Sequence, residues 1–203
     1  NKHVSVGIRA EHYPIVGKHL IASIKEVLGE AATPELIDAW TAAYTQLADI
    51  LIGAEKNIYD KNAVVEGGWT GWRFFKVVEK SKQTNNVTSF KLVPVDHGKM
   101  PEVKAGQYIS VRVFVKGQEL IQPRQYTVVK ADAASFTIAV KKVEAEEKSP
   151  AGMVSNTLHN DIQEGDLVEV SFPVGEFNLP ESDGSLCLLS AGIGITPLFA
   201  MLK

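Results

Sequence analysis

Arg124-Gln125-Tyr126-Thr127 is followed, in fixed order, by Gly152-Met153-Val154-Ser155-Asn156 and then by Ala191-Gly192-Ile193-Gly194-Ile195-Thr196-Pro197. An arginine offers a planar fork of donors to a diphosphate, and an alternate tyrosine offers a flat face to an aromatic ring system. In the two later stretches Gly, Ser and Thr stand where helices are expected to begin, a setting that suits phosphate oxygens. Each stretch alone is weak. An exposed Arg beside a half-buried Tyr is common on strand pairs, and G-x-G occurs by chance. The ordered set on a β-rich background is what carries the information.

Around these stretches the chain alternates and is rich in Val, Phe, Tyr and Thr from Trp72 onward. Strands are predicted over Arg73–Lys80, Val87–Pro94, Tyr108–Val115, Gln125–Lys130, Phe136–Val143 and Leu167–Phe172, each bounded by turn formers. Six short antiparallel strands in this span imply a small closed barrel. Met153 to Asn160 is apolar enough for a short helix between the fifth and sixth strands. Leu186–Ser190 is predicted as a short buried strand that opens a further βα unit. After it, Gly192-x-Gly194-x-Thr196-Pro197 predicts a tight turn, an N-cap and a proline at the first helical position. The charged patch Glu144–Lys148 reads as a solvated loop.

Upstream the texture is helical to about residue 60. Val16, Leu20, Ile24, Val27 and Leu28 keep one face of a helix that ends near Gly29. Thr33 is a natural N-cap with Pro34 behind it. From there Leu36, Trp40, Ala43, Tyr44, Leu47, Ile50, Leu51 and Ile58 sustain helical spacing for more than six turns, which suits all-α packing. Asn62 to Gly68, with its Gly-Gly pair, reads as a connector.

Composition sets wide bounds. The 203 residues are 45% hydrophobic and 22% charged, with a net charge of −3, and suffice for one or two cores. The basic residues are dispersed, so nucleic acid is not an expected partner. No apolar run is long enough for a membrane span, and no signal-peptide pattern opens the chain. The single cysteine, Cys187, cannot form an internal disulfide, which agrees with a reducing cytoplasm. The chain opens without Met and ends at Lys203, inside the helix expected after Pro197; it is read as a piece of a longer polypeptide.

The three ordered stretches resemble the ferredoxin–NADP reductase superfamily, running from its flavin-binding barrel into its nicotinamide-binding half. The resemblance implies that Arg124 pairs with the FAD pyrophosphate, with Gln125 in the same binding strand. Tyr126 would pack on the isoalloxazine ring, Thr127 would reach flavin N5, and Tyr108 would contact the adenosine side. Gly152, Met153, Val154 and Ser155 would deliver backbone N–H groups to the pyrophosphate. Gly192, Ile193, Gly194, Ile195, Thr196 and Pro197 would meet NAD(P)H.

The helices narrow the resemblance. Lys2-His3-Val4-Ser5 followed by Glu11-His12-Tyr13-Pro14-Ile15-Val16-Gly17 resembles the proximal side of a globin, and the helix from Pro34 to Tyr59 resembles that fold's last helix. A globin joined to such a reductase is the flavohemoglobin family, whose activity is nitric oxide dioxygenation. The resemblance implies one haem b with His3 as proximal iron ligand, and Tyr13 and Glu55 supporting it. A ligating histidine donates its other ring N–H to an acceptor, and an anionic acceptor makes the imidazole a stronger electron donor. His12, His19, His97 and His159 are assigned no role.

The implied fold is multi-domain α + β. It comprises the C-terminal portion of a globin (1–62), a linker (63–69), a six-stranded antiparallel FAD-binding barrel (70–180) and the first βα unit of an α/β NAD(P)-binding domain (185–203). The implied function is detoxification: electrons from NAD(P)H pass through one FAD to haem, where O2 oxidises nitric oxide to nitrate. A cytoplasmic monomer is expected. Two other readings stay open: a haem-based oxygen-binding or sensing module with an associated reductase, and a plain FAD-dependent NAD(P)H reductase whose helices bind no haem.

Overall fold

The computed structural model describes residues 1–180 and 185–202; Lys203, the last residue of the predicted nucleotide-binding unit, lies outside the described residues. Three helices come first: α1 (Lys2–Ser5), α2 (His12–Leu28) and α3 (Pro34–Val64). Gly29 at φ +53 ends α2 and a 3₁₀ turn follows, because glycine enters that backbone region without a Cβ penalty. Thr33 caps α3 as expected, its side chain accepting from Leu36 N at 3.3 Å with Pro34 behind it. The helix runs to Val64, two residues into the span read as linker.

The two helical faces differ from expectation. On α2 the buried residues are Tyr13 and Gly17, whereas Val16, Leu20, Val27 and Leu28 are exposed. On α3 the buried stripe is Ile37, Ala48, Glu55, Tyr59 and Asn62, while Trp40, Leu47 and Ile50 face out. The reason is geometric. A long helix is covered only along the stripe its neighbours reach, and α3 packs here on α1 and α2 alone among the described helices. Gly17 permits that approach, since a Cβ there would sit 2.5 Å from the Tyr44 ring.

The second half is a closed antiparallel barrel of β1 (Trp72–Lys82), β2 (Val87–Pro94), β3 (Tyr108–Val113), β4 (Gln122–Asp132), β5 (Ser135–Lys141) and β6 (Leu167–Ser171), in the order β1-β2-β5-β4-β3-β6. Closure leaves no long edge exposed. β2 buries every second residue from Thr88 to Pro94, the period-2 pattern of a wall with one face inward. Phe75, Phe90, Leu92, Ile109, Val111, Phe136, Ile138, Val140 and Val170 fill the interior. α4 (Met153–Asn160) adds Val154 and Leu158 to that core. Lys80 ties its C-terminal end to β1, with Nζ donating to the carbonyls of His159 and Ile162.

The predicted strand Leu186–Ser190 is not formed. Those residues are irregular, with Leu186 and Leu189 exposed. A parallel-type strand is stabilised only by neighbouring strands on which to pair, and none lies beside it among the described residues. The helix after it does form: α5 (Ile195–Met201) packs on β4 through a face that includes Leu198.

Candidate functional site

α1 is one turn long, too short to persist alone, so tertiary contacts set its position. It carries His3 against α2 and α3. His3 Nδ1 lies 2.7 Å from Glu55 Oε1 and 3.2 Å from the Tyr13 hydroxyl, and Tyr13 donates to the same Glu55 oxygen at 2.5 Å. Tyr13 and Glu55 are buried, whereas the His3 side chain is about half exposed, at 51%. Burial, and next the Glu55 carboxylate it bonds to, push the Tyr13 phenol above its ordinary value of 10. It therefore stays a donor. An ionised Glu55 is acceptor-only, so the hydrogen between it and His3 then belongs to Nδ1, and in the neutral ring Nε2 carries the lone pair. Among the described residues Nε2 makes no hydrogen bond.

Two further tyrosines brace this group. Tyr44 donates to the Tyr13 carbonyl at 2.6 Å, and Tyr59 donates to the Ile8 carbonyl at 2.6 Å while Arg9 stacks on its ring at 3.8 Å. Sequence reasoning assigned neither. Their signal was present: Tyr44, Ala48, Glu55 and Tyr59 are spaced by four, seven and four, one face of a helix, and that face is polar and aromatic. Leu47, which shares the predicted helical spacing with Tyr44, is exposed.

On the barrel, Arg124, Tyr126 and Val128 alternate along β4 and share one face, opposite Val111 and Ile109 of β3. The Arg124 guanidinium is exposed; it donates to the Pro123 carbonyl at 2.7 Å and pairs with no carboxylate among the described residues. Tyr126 is half-buried against the core, and burial raises its phenol, with Arg124 opposing. Thr127 faces Tyr108 across the β3–β4 ladder, and Tyr108 exchanges backbone bonds with Val174 at 2.9 and 3.0 Å. Gly106, two residues before Tyr108, sits at φ +99, and a Cβ there would overlap the Phe177 carbonyl oxygen at 1.7 Å. Gln125 points elsewhere: its Nε2 reaches Ser5 Oγ at 3.4 Å.

α4 begins at Gly152, its N-cap. Val154 and Ser155 are buried, and Ser155 Oγ is engaged by the Gly152 carbonyl and Val143 N. Only backbone donors are thus on offer from this end, with Met153 half-exposed beside them. The nucleotide-type turn departs from expectation. Gly192–Gly194 forms a 3₁₀ turn that leads directly into α5, which starts at Ile195 with Gly194 as N-cap. Thr196 lies inside the first turn, donating to the Ile193 carbonyl at 2.9 Å, and Pro197 is the third helical residue. Proline is tolerated there because the first-turn N–H groups have no partner in the helix. The structure keeps this turn separate from the His3 group: α5 lies on β4 and the 3₁₀ turn faces β2 and β5 residues.

Residues 74–179 match the oxidoreductase FAD-binding domain model, and residues 1–51 match the globin model. Globin helices joined to a flavin-type oxidoreductase barrel define the class. Along its whole length the chain is 57% identical to the flavohemoprotein of Bordetella pertussis and 52% identical to that of Chromobacterium violaceum. The chain belongs to the flavohemoprotein family. It spans about half the length of these curated relatives, 50% of each. Among solved structures, all of the chain superposes on 51% of a flavohemoglobin from Malassezia yamatoensis, described with bound FAD and haem, at TM-score 0.83 and 34% identity. The FAD/NAD-binding domain of a nitric oxide dioxygenase from Vibrio cholerae aligns with 64% of this chain and 55% of its own, at TM-score 0.60 and 38% identity. No described helix is long and apolar enough to cross a membrane.

Proposed function

We propose that the protein of which this chain is part is an NAD(P)H- and FAD-dependent haem oxidoreductase that converts nitric oxide and O2 to nitrate, a detoxifying activity in the cytoplasm. When bound, haem supplies the oxygen chemistry and FAD accepts two electrons from NAD(P)H and passes them on singly. The observation that carries this reading is the His3–Tyr13–Glu55 group. Its donor set fits an iron ligand: one ring nitrogen is held by a buried carboxylate and a phenol, and the other has no partner among the described residues. Simple oxygen storage does not call for such an anion behind the ligand; a stronger donor favours activation of bound oxygen.

The flavin residues fit their group in the same sense. Arg124 is an exposed fork with no acid to neutralise it among the described residues, so a diphosphate would gain charge-assisted pairs there without displacing an ion pair found among them. Backbone donors of Gly152, Met153, Val154 and Ser155 open α4. Tyr126, Thr127 and Tyr108 line the adjoining β3–β4 ladder, with Gln125 between them in sequence. The segment Gly192, Ile193, Gly194, Ile195, Thr196 and Pro197 is the proposed contact for the nicotinamide nucleotide. The corresponding division is globin 1–62, linker 63–69, flavin barrel 70–180 and the start of the nucleotide unit 185–203. The test is turnover of the full-length protein: aerobic NADH consumption stimulated by nitric oxide, with nitrate formed in proportion. Reversible O2 binding without nitric-oxide-dependent NADH consumption would instead mark an oxygen carrier or sensor.

A further inference from the structure

The four-residue helix that carries His3 is gripped on both sides. On the helical side it is held by Glu55, and by Tyr59, whose hydroxyl donates to the Val4 carbonyl at 3.4 Å. On the barrel side it is held at each end. Asn1, its N-cap residue, donates through Nδ2 to Glu176 Oε1 at 2.7 Å, in the segment after β6. Ser5, its last residue, accepts from Gln125 Nε2 at 3.4 Å and donates to the Lys2 carbonyl at 2.8 Å. Immediately downstream, Gly7 at φ +80 lets the backbone pass against Trp72, where a Cβ would stand 3.1 Å from the indole nitrogen.

The seam at Ser5 is polar, and buried on its Ser5 side. Ser5 is 1% exposed although it belongs to a one-turn helix near the chain end. Gln125 pairs in register with Ser110 of β3. Ser110 alternates with the inward-facing Ile109 and Val111, so it lies on the outer wall of the barrel, and yet it is fully buried. Its N–H donates to Ser171 Oγ at 2.9 Å, and its own hydroxyl has no partner among the described residues. A covered outer wall of small polar residues is thus bonded through Gln125 to the helix of His3.

We propose that Ser5 is a positioning residue: through Gln125 it registers the His3 helix against the Arg-Gln-Tyr-Thr strand, so that flavin binding on β4 is felt at His3 and the electron step between the cofactors depends on the contact. Asn1 and Glu176 form the second clasp of the same helix. The inference rests on the flavin-to-haem reading above. The step is a one-electron transfer in which reduced flavin, charged with two electrons by NAD(P)H, loses one and ferric haem iron becomes ferrous. A short helix with few internal bonds follows whichever neighbours hold it, so a shift of β4 on flavin binding moves His3 with it.

The test compares full-length wild type with Ser5→Ala and Glu176→Ala by two measurements. The first is hydrogen exchange of residues 2–9 with and without FAD, which requires no turnover. FAD should slow exchange there in the wild type, and Ser5→Ala should lose that response. The second is anaerobic stopped-flow reduction by NADH. Flavin reduction should keep its wild-type rate, while haem reduction by flavin slows about two- to tenfold in Ser5→Ala, the factor one ordinary hydrogen bond carries. Glu176→Ala, which leaves α1 itself untouched, should slow the same step to a smaller extent. Ser5→Ala and Glu176→Ala proteins with an unchanged exchange response and an unchanged haem-reduction rate would overturn the proposal. If wild-type haem is not reduced at all, the flavin-to-haem reading fails, and the exchange response alone then supports or overturns the coupling.

Discussion

Replacing Glu55 by Gln in the full-length protein keeps the shape of the side chain and removes its charge. The change reaches two bonds at once, from Tyr13 at 2.5 Å and from His3 at 2.7 Å, at a residue that is 7% exposed. Hydrogen bonds to a charged group contribute about 1.5–3 kcal/mol each and neutral ones about 0.5–1.5, so the substitution, which leaves a neutral carbonyl acceptor, should weaken each bond by about 1 kcal/mol. Tyr13→Phe removes one of the same two bonds. Because the bond between Tyr13 and Glu55 is counted in both single variants, the double variant should lose less than their sum. The coupling expected for groups in one network is about 0.5–3 kcal/mol. The assay is nitric-oxide-dependent NADH turnover at saturating substrates, with log rate ratios converted to activation free energies across the cycle. Haem content is followed in parallel and should stay intact in all three variants, since His3 remains. His3→Ala is the harsher control and should lose the five-coordinate ferrous spectrum. Losses that add within about 0.5 kcal/mol would refute the shared network and reduce Tyr13 to a packing residue.

Arg124→Ala should weaken FAD retention by about ten- to a hundredfold, read by flavin titration, because the exposed fork that would bond the diphosphate is lost; unchanged affinity would remove Arg124 from the site. Gly106→Ala should destabilise the barrel by at least about 1–3 kcal/mol in urea unfolding, since the residue sits at φ +99 and its Cβ would overlap the Phe177 carbonyl. Alkaline pH should destabilise the folded state selectively. Tyr13 and Tyr126 hold their protons above the ordinary value of 10, so above that pH the unfolded chain has released protons that the folded chain keeps. Stability should therefore be intact below that value and fall above it, and the drop in Tm between about pH 9 and about pH 11 should shrink in Tyr126→Phe.

Much of this architecture is written in local pattern. The period-2 run Val87–Pro94 and the octet Met153–Asn160 coincide with β2 and α4, because alternation and helical spacing are properties of a few consecutive residues. Thr33-Pro34 opens α3 for the same reason: a cap needs only its own first turn. The proposed site residues come from the resemblance of ordered motifs, which carries chemistry from residue type and spacing. What pattern could not supply is what lies on the other side of a contact. Leu186–Ser190 has the composition of a strand and joins no ladder among the described residues, since pairing depends on neighbours that composition does not name. Val16, Leu20, Trp40 and Leu47 have core spacing and stand exposed, because burial is set by which stripe a partner helix covers. The meeting of His3, Tyr13 and Glu55 spans 52 residues of chain, and that of Ser5 with Gln125 spans 120. Local sequence determined the elements and the chemistry each one brings. Only tertiary packing decided which nitrogen of His3 is held, which way Gln125 points and that the His3 helix rests on β4, because those are contacts between segments whose separation the chain itself does not record.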